Sequence, residues 1–245
     1  MTQIVMESMI QRKSEDNPKR LTVPDLDYPV TVKRIEPQKK SKDRYSLFTE
    51  KGFLIGFSVD TLIKCGVKRE DQISRLQMEQ WVEIEQREQI RSYLFRLLSR
   101  RDHSGFELRQ KAQKIYGFNT PETGWIDEII DELHQKGYID EKSFARKFIL
   151  DKSSLSAWGP GKIRSSLVQK QIPISIIDSL LSELLPQEQN ITTAQALLLK
   201  KKWYFDKVVE PAKKRQKMQF FLAQRGFSFS VIDKAITLIL QQQDV

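Results

Sequence analysis

Apolar residues recur along this chain in two rhythms, and the change between them divides it. Over residues 28 to about 58 the period is that of a strand. Val30 and Val32, the aromatic and β-branched run at 44–50, and then Phe53, Ile55 and Phe57 at every second position predict short, half-buried strands. Glu50-Lys51-Gly52 lies between two such runs and predicts a hairpin turn, with Gly52 free to take a positive φ. Two or three short strands bury too little to stand alone in water, so this piece packs on another element. Asp60 is placed to cap a short helix that runs through Cys65 and stops at Gly66. Ahead of these strands, residues 1–27 read as a disordered tail, because Gln11-Arg-Lys-Ser-Glu-Asp-Asn-Pro-Lys-Arg20 has no apolar period to bury.

From about Met78 the period becomes helical and stays so. Ile90, Tyr93, Leu94, Leu97 and Leu98 mark one helix face. Ser104-Gly-Phe-Glu107 is a capping-box pattern opening a second helix, which Leu108, Ala112 and Ile115 continue and Gly117 ends. Thr120-Pro121 opens a third, whose buried face is Ile126, Ile129, Ile130 and Leu133. The same unit then returns at an offset of 55 residues, at which Leu108, Ile163 and Met218 align, as do Ala112, Leu167 and Leu222. At that offset Ile176, Ile177, Leu180, Leu181, Leu184 and Leu185 fall on Val231, Ile232, Ala235, Ile236, Ile239 and Leu240, and Lys170-Gln171-Ile172 falls on Arg225-Gly226-Phe227. Such repetition signals stacked units that cover one another's apolar faces. The expected fold is therefore mainly α: three tandem three-helix repeats forming an elongated, curved helical array, preceded by a small β-hairpin-containing subdomain. The expected divisions are 28–84 for the subdomain and 85–137, 138–189 and 190–245 for the repeats.

Composition agrees with a globular chain. At 245 residues with 39% apolar and 30% charged residues, it has enough to bury a core under a heavily solvated surface, which excludes collagen-like, disulfide-rich and wholly disordered classes. A single cysteine forms no internal disulfide and fits a reducing compartment. Nothing approaches ~18 uninterrupted apolar residues, and the N-terminus lacks a basic stretch before an apolar one, so a cytoplasmic protein with no membrane contact is expected.

The net charge of +9 points to an anionic partner, and it is unevenly spread. Residues 1–85 carry net +1, the remainder +8, and residues 191–245 alone +6. The candidate contacts are Lys162, Arg164 and Lys170 in the second repeat with Lys200, Lys201, Lys202, Lys213, Lys214, Arg215 and Lys217 in the third. Basic groups around Trp203, Tyr204 and Phe205 suit a phosphate backbone with exposed bases. The plainer reading places Trp203 and Phe205 in the core and leaves the lysines to solvate helix ends.

Catalytic patterns fail one by one. His103 and His134 form no zinc pair, and Cys65 has no histidine near it in sequence and reads as a small core residue. Gly159-Pro-Gly161-Lys162 fails as a phosphate loop, having Ser156 and Ile163 where Gly and Ser/Thr are needed; Gly159 as a cap with Pro160 at the first helical position accounts for it. Asp127, Glu128, Asp131 and Glu132 alternate with isoleucines and read as the solvated side of a helix, not a metal site. No nucleophile elbow or dinucleotide turn is present. The chain reads as a binding protein with no catalytic residue, metal or cofactor.

Several of these segments together resemble the RecX family. They are Gly137-Tyr138-Ile139-Asp140-Glu141 followed by Phe144-Ala145, Ser104-x-x-Glu107-Leu108-x-x-Lys111, and Arg225-Gly226-Phe227-Ser228. Arg44-Tyr45 and Asp60-x-Leu62-Ile63-Lys64 are similar to the N-terminal extension of longer members, so the resemblance covers roughly residues 28–240. Departures are Glu141 where Asp is usual, Ala112 where Leu is common, Gln171 where the turn Gly is expected, and one extra residue before Gly117. The resemblance implies a monomeric helical-repeat regulator of the RecA recombinase in DNA repair and the SOS response. Such proteins lie along the RecA–DNA filament and usually inhibit it, with weak electrostatic contact to single- or double-stranded DNA. The rival readings are an autonomous nucleic-acid-binding helical protein, such as a helix-turn-helix regulator, and a scaffold without DNA contact.

Overall fold

The computed structural model describes residues 21–39, 41–117 and 120–241, which form eleven helices and five short strands. The chain divides into two compact units, one of residues up to 102 with 108–138, the other of 103–107 with 139 onward.

In the first unit, β1 (Val30–Thr31) pairs antiparallel with β5 (Gln72–Ile73). A three-stranded antiparallel sheet has the order β2 (Arg34–Gln38), β3 (Ser41–Thr49), β4 (Gly52–Ser58). The expected hairpin joins β3 to β4, with Gly52 at φ 116°. The strict alternation of Phe53, Ile55 and Phe57 does not hold. A register shift between Leu47 and Phe48 buries Leu54 and Ile55 together and leaves Phe53 exposed, edge-on to Phe48 at 5.9 Å. Helix α1 (Val59–Cys65) ends at Gly66 (φ 62°) as expected, but its cap is Ser58, whose Oγ accepts from Thr61 N at 3.2 Å; Asp60 sits in the first turn, where its charge suits the helix dipole.

Ser74 and Gln77 form a reciprocal capping box that starts α2 (Arg75–Leu98) three residues before the helical period becomes visible in sequence. Met78 and Val82 of this helix join the core made by Val30, Val32, Leu47, Phe57 and Ile73. Farther along, Ile90 and Leu94 are buried in the first helical repeat. The division expected at residue 85 therefore falls inside one continuous helix, at a buried polar girdle of Glu85, Gln86 and Glu88. The expected tail also needs correction. Leu21, Val23 and Leu26 pack on the β core and Leu21 N donates to Gln86 Oε1 at 2.9 Å, so residues 21–27 belong to the subdomain. Residues 1–20 of that expected tail lie outside the described residues.

The first repeat is completed by α3 (Gly105–Tyr116) and α4 (Pro121–Gln135). The second is α5 (Glu141–Ser154), α6 (Pro160–Gln169) and α7 (Ile174–Leu184). The third is α8 (Gln187–Lys200), a one-turn α9 (Lys202–Phe205), α10 (Pro211–Ala223) and α11 (Phe229–Gln241); the division expected at 190 falls inside α8. The residues aligned by the 55-residue offset share their environment. Leu108, Ile163 and Met218 are buried, as are Ala112, Leu167 and Leu222.

The turn after the second helix of each repeat has positive φ: Gly117 at 107°, Gln171 at 58°, Gly226 at 86°. Gln171 thus stands where a glycine is conformationally preferred. Replacing it by glycine relieves a left-handed penalty of about 1–2 kcal/mol against a chain-entropy cost of about 0.5–1 kcal/mol, so Q171G is expected to gain roughly 0.5–1 kcal/mol, read as a higher denaturation midpoint. A second recurrence was not visible in the apolar pattern. An Arg–Asp pair ties the second helix to the third in every repeat: Arg109–Asp127 at 2.6 Å, Arg164–Asp178 at 2.8 Å and Arg215–Asp233 at 2.5 Å.

Candidate nucleic-acid interface

Within the second unit, the loop before α6 meets the turn between α10 and α11. Gly159 caps α6 with Pro160 first in the helix, as the sequence indicates. The glycines also make a seam: Gly159 N donates to Arg225 O at 2.7 Å and Gly161 N to Gly226 O at 2.9 Å, while Arg225 Nη1 donates to Ser156 O at 3.1 Å. Only glycine fits, since a Cβ on Gly159 would lie 2.6 Å from the Gly226 carbonyl carbon.

On both sides of this seam, cations rest on aromatic rings. Lys152 Nζ lies 5.6 Å from the Phe148 centroid and 5.2 Å from that of Trp158, and Lys162 Nζ lies 4.5 Å from Trp158. Arg225 and Lys201 approach Phe221 at 4.9 and 5.2 Å, and Lys207 approaches Trp203 at 5.0 Å. Among the described residues none of these five cations has a carboxylate partner. Seating on a ring holds a cation in place without cancelling its charge.

Half of the ten expected cations have carboxylate partners. Arg164 is held by Asp178, Lys213 by Glu210 at 2.6 Å, Lys214 by Asp206 at 2.7 Å, Arg215 by Asp233, and Lys170 by Glu107. The hydrogen bond between Arg164 and Asp178 pushes the guanidinium up and pulls the carboxyl below its ordinary range, so both stay charged at neutral pH. Lys162, Lys200, Lys201, Lys202 and Lys217 remain exposed and without carboxylate partners among the described residues. Lys152, Lys207 and Arg225, outside the expected stripe, share its ring-seated arrangement. A signal for them exists: Phe148–Lys152, Trp158–Lys162, Trp203–Lys207 and Phe221–Arg225 are all spaced i, i+4, the distance of one helical turn.

The aromatics divide differently from the expectation. Phe205 is fully buried, edge-on to Tyr204 at 5.3 Å and to Phe221 at 5.7 Å. Trp203, which the plainer of the two readings placed in the core, is 65% exposed and Tyr204 46%.

Elsewhere the chemistry is structural. Of the acidic residues on α4, Asp127, Glu128 and Glu132 pair with Arg109, Arg87 and Arg91 while staying about half exposed, so the face is solvated as expected and also tied to neighbouring helices. No group of three or more His, Cys, Asp or Glu residues able to hold a metal occurs among the described residues. Cys65 is half-buried rather than core, and burial with nearby Glu85 pushes its thiol up to about 11, leaving little thiolate at neutral pH. No helix among the described residues is long and apolar enough to cross a membrane.

Three-helix repeats that follow a small β-rich portion in sequence, with cations on aromatic rings and no carboxylate partner for them among the described residues, define a helical-repeat protein. The family description "RecX, third three-helix domain" matches residues 187–236. A regulatory protein RecX of Staphylococcus carnosus is 31% identical over 212 residues, spanning 84% of this chain and 74% of that one. One of Chlorobium limicola is 32% identical over 154 residues, 61% of this chain and 89% of that protein. A crystal structure of a regulatory protein RecX superimposes with a TM-score of 0.66 at 25% identity, over 83% of this chain and 97% of that one. A RecX structure from Lactobacillus salivarius shares the fold, with a TM-score of 0.55 over 63% of this chain and 96% of that one. The chain belongs to the RecX family of regulatory proteins.

Proposed function

We propose that this protein is a cytoplasmic, non-enzymatic regulator that binds RecA and RecA–DNA filaments through its repeats and restrains recombinase activity in DNA repair. The observation that carries the reading is the run of cations seated on Phe148, Trp158, Phe221 and Trp203 without carboxylate partners among the described residues. Fixed, uncompensated positive charge suits a phosphate backbone or an acidic protein face, and repeat proteins offer extended surfaces for long partners. RecA ATPase on single-stranded DNA, titrated with this protein, is expected to fall. An unchanged rate at every stoichiometry, with no co-sedimentation, overturns the proposal.

The ion pairs also sort the lysines. Changing Lys152, Lys162, Lys200, Lys201, Lys202 and Lys207 to glutamine is expected to weaken DNA binding and to cut the slope of log K against log salt by up to about 4, because fewer counterions are released. Changing Lys213, Lys214 and Arg215, already neutralised by Glu210, Asp206 and Asp233, is expected to alter the slope by about 1 or less. Equal effects of the two variants place the contact elsewhere.

A further inference from the structure

The corner between α8 and α10 has a construction that electrostatics alone does not require. Its one-turn helix α9 places three aromatics in succession, and only the third, Phe205, enters the core, where Phe221 packs edge-on to it. That plug fixes the backbone beneath Trp203 and Tyr204, which stand in solvent edge-to-face at 6.2 Å. Exposing a tryptophan at 65% forgoes the burial that usually places such a ring inside. Around it stand Lys200, Lys202 and Lys207, all exposed and without carboxylate partners among the described residues, while the nearby Asp206 is tied to Lys214.

We propose that Trp203, supported by Tyr204, is a base-stacking platform that makes this surface prefer single-stranded nucleic acid over duplex. Flat π faces bind unstacked bases whatever their identity, and flanking ammonium groups take the phosphates on either side. A duplex keeps its base faces inside the stack and reaches only the cations. An acidic peptide would likewise use the lysines but has no base to lay on the indole. This inference rests on the DNA-facing part of the function proposed above and not on the part that concerns RecA.

The test uses the full chain and two labelled probes, a thymidine oligomer of about 20 nucleotides and a hairpin duplex of similar length, titrated at two salt concentrations. For Trp203→Ala the dissociation constant for the single strand is expected to rise about tenfold and that for the duplex at most about twofold, through the unseating of Lys207, with both salt slopes unchanged. Trp203→Phe, which keeps a stacking face, is expected to restore most of the loss. A thermal midpoint equal to that of the parent shows that the exposed site was changed without unfolding. Equal losses on single strand and duplex, no loss on either, or displacement of the oligomer by poly-glutamate as readily from the parent as from Trp203→Ala each overturn the platform. Since no recombinase is present, Trp203-dependent single-strand binding together with an unchanged RecA ATPase supports the platform and overturns only the regulatory reading.

Discussion

Replacing Glu85 by alanine is expected to destabilise the first unit by about 3–5 kcal/mol, the cost of leaving a partner charge without its counter-ion, and to lower its thermal midpoint by about 10 °C. Glu85 has no solvent exposure. Its carboxylate accepts from Arg44 Nη1 at 2.8 Å and Gln89 Nε2 at 3.0 Å through one oxygen, and from Ser58 N at 2.8 Å through the other. Three elements meet there: β3 through Arg44, the end of β4 through Ser58, and α2. Arg44 also donates to Gly56 O at 3.1 Å, so one guanidinium crosses the hairpin and reaches the helix. Truncation removes the acceptor of a backbone N–H and strands a guanidinium that is two-thirds covered. The check is a double-mutant cycle with Arg44→Ala, followed by denaturant unfolding. The two losses are expected to overlap by more than about 1 kcal/mol. Additive losses would mean that Arg44 and Glu85 act separately.

Gly226→Ala is the second large effect, expected to cost about 2–4 kcal/mol, combining the penalty for an L-residue in the left-handed region with overpacking of a tight contact. The new Cβ would fall on Lys162 N and lie 2.5 Å from Lys162 Cβ, where helix α6 begins and cannot retreat without losing the seam bonds of Gly159 and Gly161. Gly66→Ala and Gly137→Ala serve as controls. Both glycines have positive φ (62° and 73°), yet an added Cβ meets nothing within 4 Å at either. They are expected to cost only about 1–2 kcal/mol, the conformational part alone. A Gly226 variant no worse than these two would remove the crowding argument. Melting curves of the three single variants decide it.

Much of the helical architecture was legible because it repeats. The 55-residue offset aligned buried positions across helices with no reference to three dimensions, and it placed Gln171 at a turn where the chain adopts positive φ. Capping chemistry was equally local. Glu107 N does donate to Ser104 Oγ at 3.2 Å, although the Glu107 carboxylate also takes Lys170 from 63 residues away. The β portion was read less well. The bulge at Leu47 overrode the alternation, and Leu21, Val23 and Leu26, too sparse to show a period, turned out to cover the core.

The candidate surface shows where reading by composition stops. Ten cations were singled out by density, and five of them have carboxylate partners; for Arg215 the partner Asp233 is 18 residues away. The aromatics of α9 show the same limit. Four residues are one turn, too short for a period to separate the face that holds Phe205 from the one that holds Trp203.

By itself, then, the sequence determined the helical class, the three-fold recurrence, the seat of the positive charge and the family to which the segments point. These are properties of local spacing and propensity, which act over one or two helical turns. Tertiary structure alone decided which charges stay uncompensated, which tryptophan faces water, and that Arg44 meets Glu85 beneath the hairpin. Most of these depend on groups 8 to 69 residues apart, from Lys214 and Asp206 to Arg225 and Ser156, that only the packed chain brings within hydrogen-bonding distance.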